Sequence, residues 1–250
     1  RRGAAADLET QPARFERALQ QRPQAPYVIH SYAHVLHDQG KPEESLELLG
    51  NWLEEYHQSA EGGAMYGHVQ WHLAVAEWQL GRIEQAWQRY ERYCAPETTR
   101  CGPVLTLADC GGFLLREYLR TGVTRPVSAA VSALYSRFGS MISRPFVALH
   151  LAGIQASAGD LAALEKTRAA IEAAEPGDQA RLALRLVEAV SQFASGRYAD
   201  AADTLKGVSP AQRIGVGGSR VERMLIDLLE ARARNFDRKG ADRVDTHIAS

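Results

Sequence analysis

Five glycines recur at near-regular intervals, at Gly40, Gly81, Gly122, Gly159 and Gly196, with steps of 41, 41, 37 and 37 residues. Each closes a helix-length run and opens another, and Gly240 follows after a longer step of 44. A helix that ends in a tight turn favours a left-handed residue just past its C-terminus, which glycine adopts without steric cost. Seven residues before the glycines stand Ala33, Ala74, Leu115, Ala152, Ala189 and Ala233. Five residues after them stand Ser45, Ala86, Val127, Leu164 and Ala201. Small side chains at fixed offsets from a turn mark places where two helices press together. A period of about 40 residues with this internal pattern is that of a helix-turn-helix repeat. It predicts an all-α fold, a right-handed α-α solenoid of about five or six tetratricopeptide-like helical hairpins.

The remaining punctuation fits that frame. Residues 1–8 carry no period and are expected to be disordered, and 9–250 are expected to form a single repeat domain. A first helix over Glu9–Arg22 is stopped by Pro23 and Pro26. Two turn-rich stretches interrupt the repeats, Cys94–Pro103 and Lys206–Ser219, the latter the longest candidate loop. In it Gly217 and Gly218 precede Ser219, a residue type that caps helix N-termini.

Charge and cysteine content narrow the function classes. The formal net charge is −1, without the basic excess of a nucleic-acid binder. Apolar runs stay far below the roughly 20 residues that span a bilayer. The three cysteines, Cys94, Cys101 and Cys110, match no zinc or redox spacing. Their odd number argues against a secreted disulfide framework and points to a reducing cytoplasm. No Gly-rich phosphate loop is present, and the sequence identifies no cofactor.

Histidines supply the chemistry. His30, His34 and His37 lie at i, i+4 and i+7, on one face of a first helix. In tetratricopeptide arrays this face lines a concave groove. The same offset from glycine places His68, Trp71 and Trp78 there in the second repeat, and Asp109 and Arg116 in the third. His72 and His150 sit one residue beyond such positions. A polar groove lined by His30, His34, His68, Trp71, His72, Asp109 and Arg116 can accept a peptide segment or a small anionic ligand, with Arg116 as carboxylate or phosphate clamp. The alternative is an enzyme in which His34, His72, Asp109 and His150 perform acid-base chemistry, with or without a metal. Two histidines at i and i+4 can ligate one ion. The His68-Val69-Gln70-Trp71-His72 string, however, lacks the glutamate of the HExxH motif, and no metal ligand is assigned. Gly111-Gly112 inside a helical run costs on the order of 1 kcal/mol per residue, which close approach of a helix or ligand, or a kink, would explain.

Several strings together resemble the tetratricopeptide repeat protein 38 family. They are His30-Ser31-Tyr32-Ala33-His34-Val35 with Gln39-Gly40, His68-Val69-Gln70-Trp71-His72 with Leu73-Ala74, Asp109 to Arg116, Phe146 to His150, and Gly217-Gly218-Ser219 followed by Arg223. They occur in the family's order over residues 26–235. The chain departs from the family pattern at Val69-Gln70, Leu115, Ala148 and Arg220. The resemblance implies an α-helical repeat fold and brings no reaction with it. Family members are longer on the N-terminal side, so the chain corresponds to the C-terminal part or to a short, divergent member.

Overall fold

A computed structural model describes residues 13–60 and 63–248, so the expected disordered segment 1–8 lies outside the described residues. Among them there are helices and no strands: α1 (13–21), α2 (Pro26–Asp38), α3 (Pro42–Ala60), α4 (Tyr66–Gln79), α5 (Ile83–Arg89), α6 (Pro103–Thr121), α7 (Ala129–Arg137), α8 (Pro145–Ala158), α9 (Leu161–Glu172), α10 (Asp178–Ala194), α11 (Tyr198–Lys206), α12 (Pro210–Gly215) and α13 (Arg220–Ile248). The fold is the all-α solenoid type that the glycine period predicts. None of these helices is long and apolar enough to cross a membrane. Where the sequence suggests one domain over 9–250, the chain groups into two compact units, Arg1–Asp109 and Cys110–Ser250, with the boundary inside α6.

The repeated turn is the expected one. Gly40, Gly81, Gly122, Gly159 and Gly196 have φ of 71°, 75°, 70°, 72° and 75°. After four of them the next amide reaches back five residues, as in Lys41 N–H to Leu36 C=O (3.0 Å) and Arg82 N–H to Glu77 C=O (2.8 Å). This closes the helix end and aims the chain into the next helix. Gly122 is the exception. Residues 122–128 are non-helical up to α7, with Pro126 unable to donate into a helix, and Val127 is only half-buried where its counterparts are buried. Gly240 does not end a helix, because α13 runs through it.

The first unit pairs α2 with α3, α3 with α4 and α4 with α5. Its core includes Ile29, Ala33, Leu49, Trp52, Val69 and Leu73. The second pairs α8 with α9 and α10, and α10 and α13 with α11. Its core is built on Leu149, Ala152, Leu164, Leu186, Ala189, Val190, Ala201 and Leu229. All six residues seven places before the glycines are fully buried, Leu115 among them. Room for Leu115 comes from Gly153, where an added Cβ would stand 3.0 Å from the Leu115 Cβ. One expected loop contains a helix: Ser209 caps α12 in a reciprocal capping box with Gln212.

Candidate functional site

Two helices of the first unit each begin near a turn and carry two histidines one helical turn apart. α2 has Pro26 at its first position and brings His30 and His34 to one face. α4 does the same with His68 and His72. The four rings meet: centroids of His30 lie 4.3 Å from His34, 4.8 Å from His68 and 4.9 Å from His72, and those of His34 and His72 are 4.5 Å apart. One ring nitrogen from each of the four lies within 4.8 Å of all the others. His30 Nε2 is 2.8 Å from His34 Nε2 and 3.0 Å from His68 Nε2. Behind them, His68 Nδ1 donates to Asp109 Oδ1 at 2.7 Å.

Trp71 closes the cluster from below. Its ring stacks on His68, with centroids 5.5 Å apart at 6°, and its Nε1–H donates to the Asp109 carbonyl at 2.9 Å. His72, Trp71 and Asp109 have no exposed surface and His68 has 3%, whereas His30 and His34 are half-buried. His37 joins the edge, with its ring 5.6 Å from His72. Neither ring nitrogen of His72 has a hydrogen-bond partner among the described residues.

Burial favours the neutral form of the His30 and His72 imidazoles. The His30 pKa is lowered to about 3 by desolvation first and by His68 and His34 next. That of His72 is lowered by desolvation first and by its neighbouring histidines next. Unfolded histidines take up protons below about pH 6.5, whereas these folded ones resist. Stability is therefore full above that pH and is lost as pH falls, by roughly 1.4 kcal/mol per pH unit for a histidine that stays neutral. Urea midpoints measured at pH 7 and pH 5 should fall accordingly, and the fall should shrink in His72→Leu. Equal midpoints at the two pH values would contradict this.

Of the other expected residues, Arg116 and His150 belong to the second unit. Arg116 is buried, and its Nη1 and Nη2 donate to the carbonyls of Gly112 (2.9 Å) and Val221 (2.6 Å). Burial lowers its pKa to about 10, with Glu222 opposing. The guanidinium thus ties α6 to the start of α13. His150 Nδ1 donates to the Phe146 carbonyl at 2.7 Å, while its buried Nε2 has no hydrogen-bond partner among the described residues. Desolvation, set first against Glu222, lowers its pKa. Ser219 caps α13 through the Glu222 amide, and the Glu222 carboxylate accepts from the Ser219 amide at 2.5 Å. This helix end therefore holds its own anion. Trp78 is half-buried at the end of α4.

One polar chain escapes sequence reading. Arg89 donates twice to Glu77 (2.9 and 2.7 Å) and once to Gln70 (2.5 Å), and Gln70 donates to the Tyr66 hydroxyl at 3.1 Å. The departure at Gln70 was its sole visible signal.

The four-histidine cluster can relay a proton along Asp109, His68, His30 and His34, or offer neutral nitrogen lone pairs to a cation. The neutral rings of His30 and His72 supply no positive charge to an anion. Comparison with known proteins gives a match to the tetratricopeptide repeat family model at residues 67–92 and 182–206. No curated protein and no solved structure matches the chain significantly. The first matched segment holds α4, α5 and the turn between them, with His68, Trp71 and His72, and the second runs from α10 into α11. The chain is thus similar to tetratricopeptide repeats at two places, one in each of its compact units.

Proposed function

We propose that the chain is a protein-binding repeat module that takes a peptide segment of a partner across the first-helix face of its repeats. The observation that carries this reading is the pair of tetratricopeptide matches, in a fold that generally mediates protein association. On α2 that face presents Tyr27, 66% exposed, with the half-buried His30 and His34 and the exposed Asp38. They follow one stripe at i, i+3, i+7 and i+11. A peptide would touch these residues, with His68, Trp71, His72 and Asp109 supporting them from behind. A small anionic ligand has less support, because burial favours the neutral form of His30 and His72 and Arg116 donates to main-chain carbonyls. The motif order over residues 26–235 supports kinship with the tetratricopeptide repeat protein 38 family.

Panning a displayed random-peptide library on the purified chain tests the reading. Enriched peptides should bind with micromolar affinity in calorimetry and lose about tenfold or more in Tyr27→Ala, the loss of an aromatic anchor. Peptides that bind a Tyr27→Ala/His34→Ala double variant as tightly as the parent, or failure to enrich any, would refute it. A second reading, acid-base catalysis, is favoured by one observation, the 2.7 Å bond that orients His68 against Asp109. It requires turnover of an ester or amide chromogenic panel that disappears in His68→Ala.

A further inference from the structure

We propose that His30, His34, His68 and His72 together bind one divalent transition-metal ion of the zinc class. Two helices supply one i, i+4 pair each, so four nitrogen donors converge from well-formed elements rather than loops. Their ligand atoms already lie within 4.8 Å of one another. A tetrahedral ion with bonds of about 2.0–2.1 Å needs donors about 3.3 Å apart. The 2.8 and 3.0 Å pairs must open by a few tenths of an ångström and the widest must close, which rotation of imidazoles about their side-chain bonds supplies.

Proton counting points the same way. With its Nδ1–H given to Asp109, His68 presents a lone pair at Nε2. A neutral His30 has at most one hydrogen at Nε2, yet that atom faces both His34 Nε2 and His68 Nε2. Whichever of His30 and His34 carries a hydrogen at Nε2, only one of the two contacts of His30 Nε2 can be a good hydrogen bond, whereas a cation among the nitrogens satisfies every lone pair aimed at it.

His72 is an independent observation. It is fully buried, and neither ring nitrogen has a hydrogen-bond partner among the described residues. A buried polar group left without a partner is costly, and a metal bond at one nitrogen removes that cost. Asp109, one shell out, is the positioning residue: its bond to His68 Nδ1 fixes the tautomer and turns Nε2 inward, the carboxylate–histidine–metal arrangement. Four neutral imidazoles suit Zn(II), Co(II), Ni(II) or Cu(II), not the oxygen-seeking Mg(II) or Ca(II).

The test uses the full chain made without an affinity tag and stripped with chelator. Titrated with Co(II), it should bind one ion per chain with the visible bands of a nitrogen-ligated ion, and Zn(II) should displace it. Loaded with Cu(II), it should show nitrogen hyperfine splitting from several imidazoles by electron paramagnetic resonance. His34→Ala, at a half-exposed position that spares the core, should weaken Co(II) binding by about 100-fold or more with helicity retained. Asp109→Asn should weaken it about 10- to 100-fold. Absence of stoichiometric binding by the parent overturns the proposal, as does binding without nitrogen hyperfine structure or undiminished binding by His34→Ala.

Discussion

Trp71→Ala is expected to destabilise the first unit by about 3–5 kcal/mol, the range for removing a fully buried large aromatic. Three losses add up at this position. The indole has no exposed surface, so its removal leaves a void beside His68 and Asp109. The stacking on His68 disappears. The Asp109 carbonyl loses the donor at 2.9 Å, while the same residue's carboxylate orients His68. Trp71→Phe separates these effects in part: it keeps one aromatic ring but removes the N–H together with part of the ring system, and should cost less, about 1–3 kcal/mol. Chemical denaturation followed by circular dichroism measures both. A Trp71→Ala loss under 1 kcal/mol would mean that the site collapses around the missing ring and that the cluster is less fixed than its geometry implies.

Gly111→Ala should cost about 2–3 kcal/mol in the second unit, although alanine is the better helix former by about 1 kcal/mol. An added Cβ at Gly111 would lie 2.5 Å from the His150 carbonyl oxygen, 2.9 Å from its Cβ and 3.0 Å from its carbonyl carbon. Two of these atoms are main chain, so relief requires α6 and α8 to separate. Gly50→Ala in α3 is the control, because nothing lies within 4 Å of its added Cβ. That substitution should be neutral or stabilising. Denaturant midpoints moving in the same direction for both would show that helix propensity, not close approach, sets the outcome at Gly111.

The two glycine cases explain why much of the fold was legible in the sequence. A left-handed turn admits few residue types, so Gly40, Gly81, Gly159 and Gly196 announce their conformation one residue at a time. The buried alanines seven places earlier announce helix contact in the same local way. Gly111 was legible as a place of close approach or a kink, but its partner was not, since His150 is nearly forty places away. The capped α12 within the expected loop was missed, because turn formers from Lys206 to Ser219 outweighed the Ser209–Gln212 capping pair.

The candidate site was legible in membership more than in geometry. Helical spacing put His30 with His34 and His68 with His72, and the repeat offset put Asp109 on the same groove face. The sequence could not show how far the rings would be withdrawn from solvent. A lining of histidines and tryptophan suits an open groove as well as a closed cluster, and the difference lies in how closely α2 and α4 pack. Arg116 illustrates the limit: a guanidinium on a groove position looks like a clamp for an anion, but the carbonyls of Gly112 and Val221 take two of its donors. Neither carbonyl has a signature in sequence.

After Arg89 the second helix of the matched repeat widens into a π turn over Tyr90–Cys94, where the Ala95 amide reaches the Tyr90 carbonyl at 2.9 Å. A wide turn accommodates one residue more than an α turn and rotates everything beyond it by about 100°. Here the rotation leaves Cys94 fully buried, with its thiol against the Gly67 carbonyl at 3.4 Å. A hairpin built this way can gain or shed a single residue at its far end without shifting the phase of the turns that precede it.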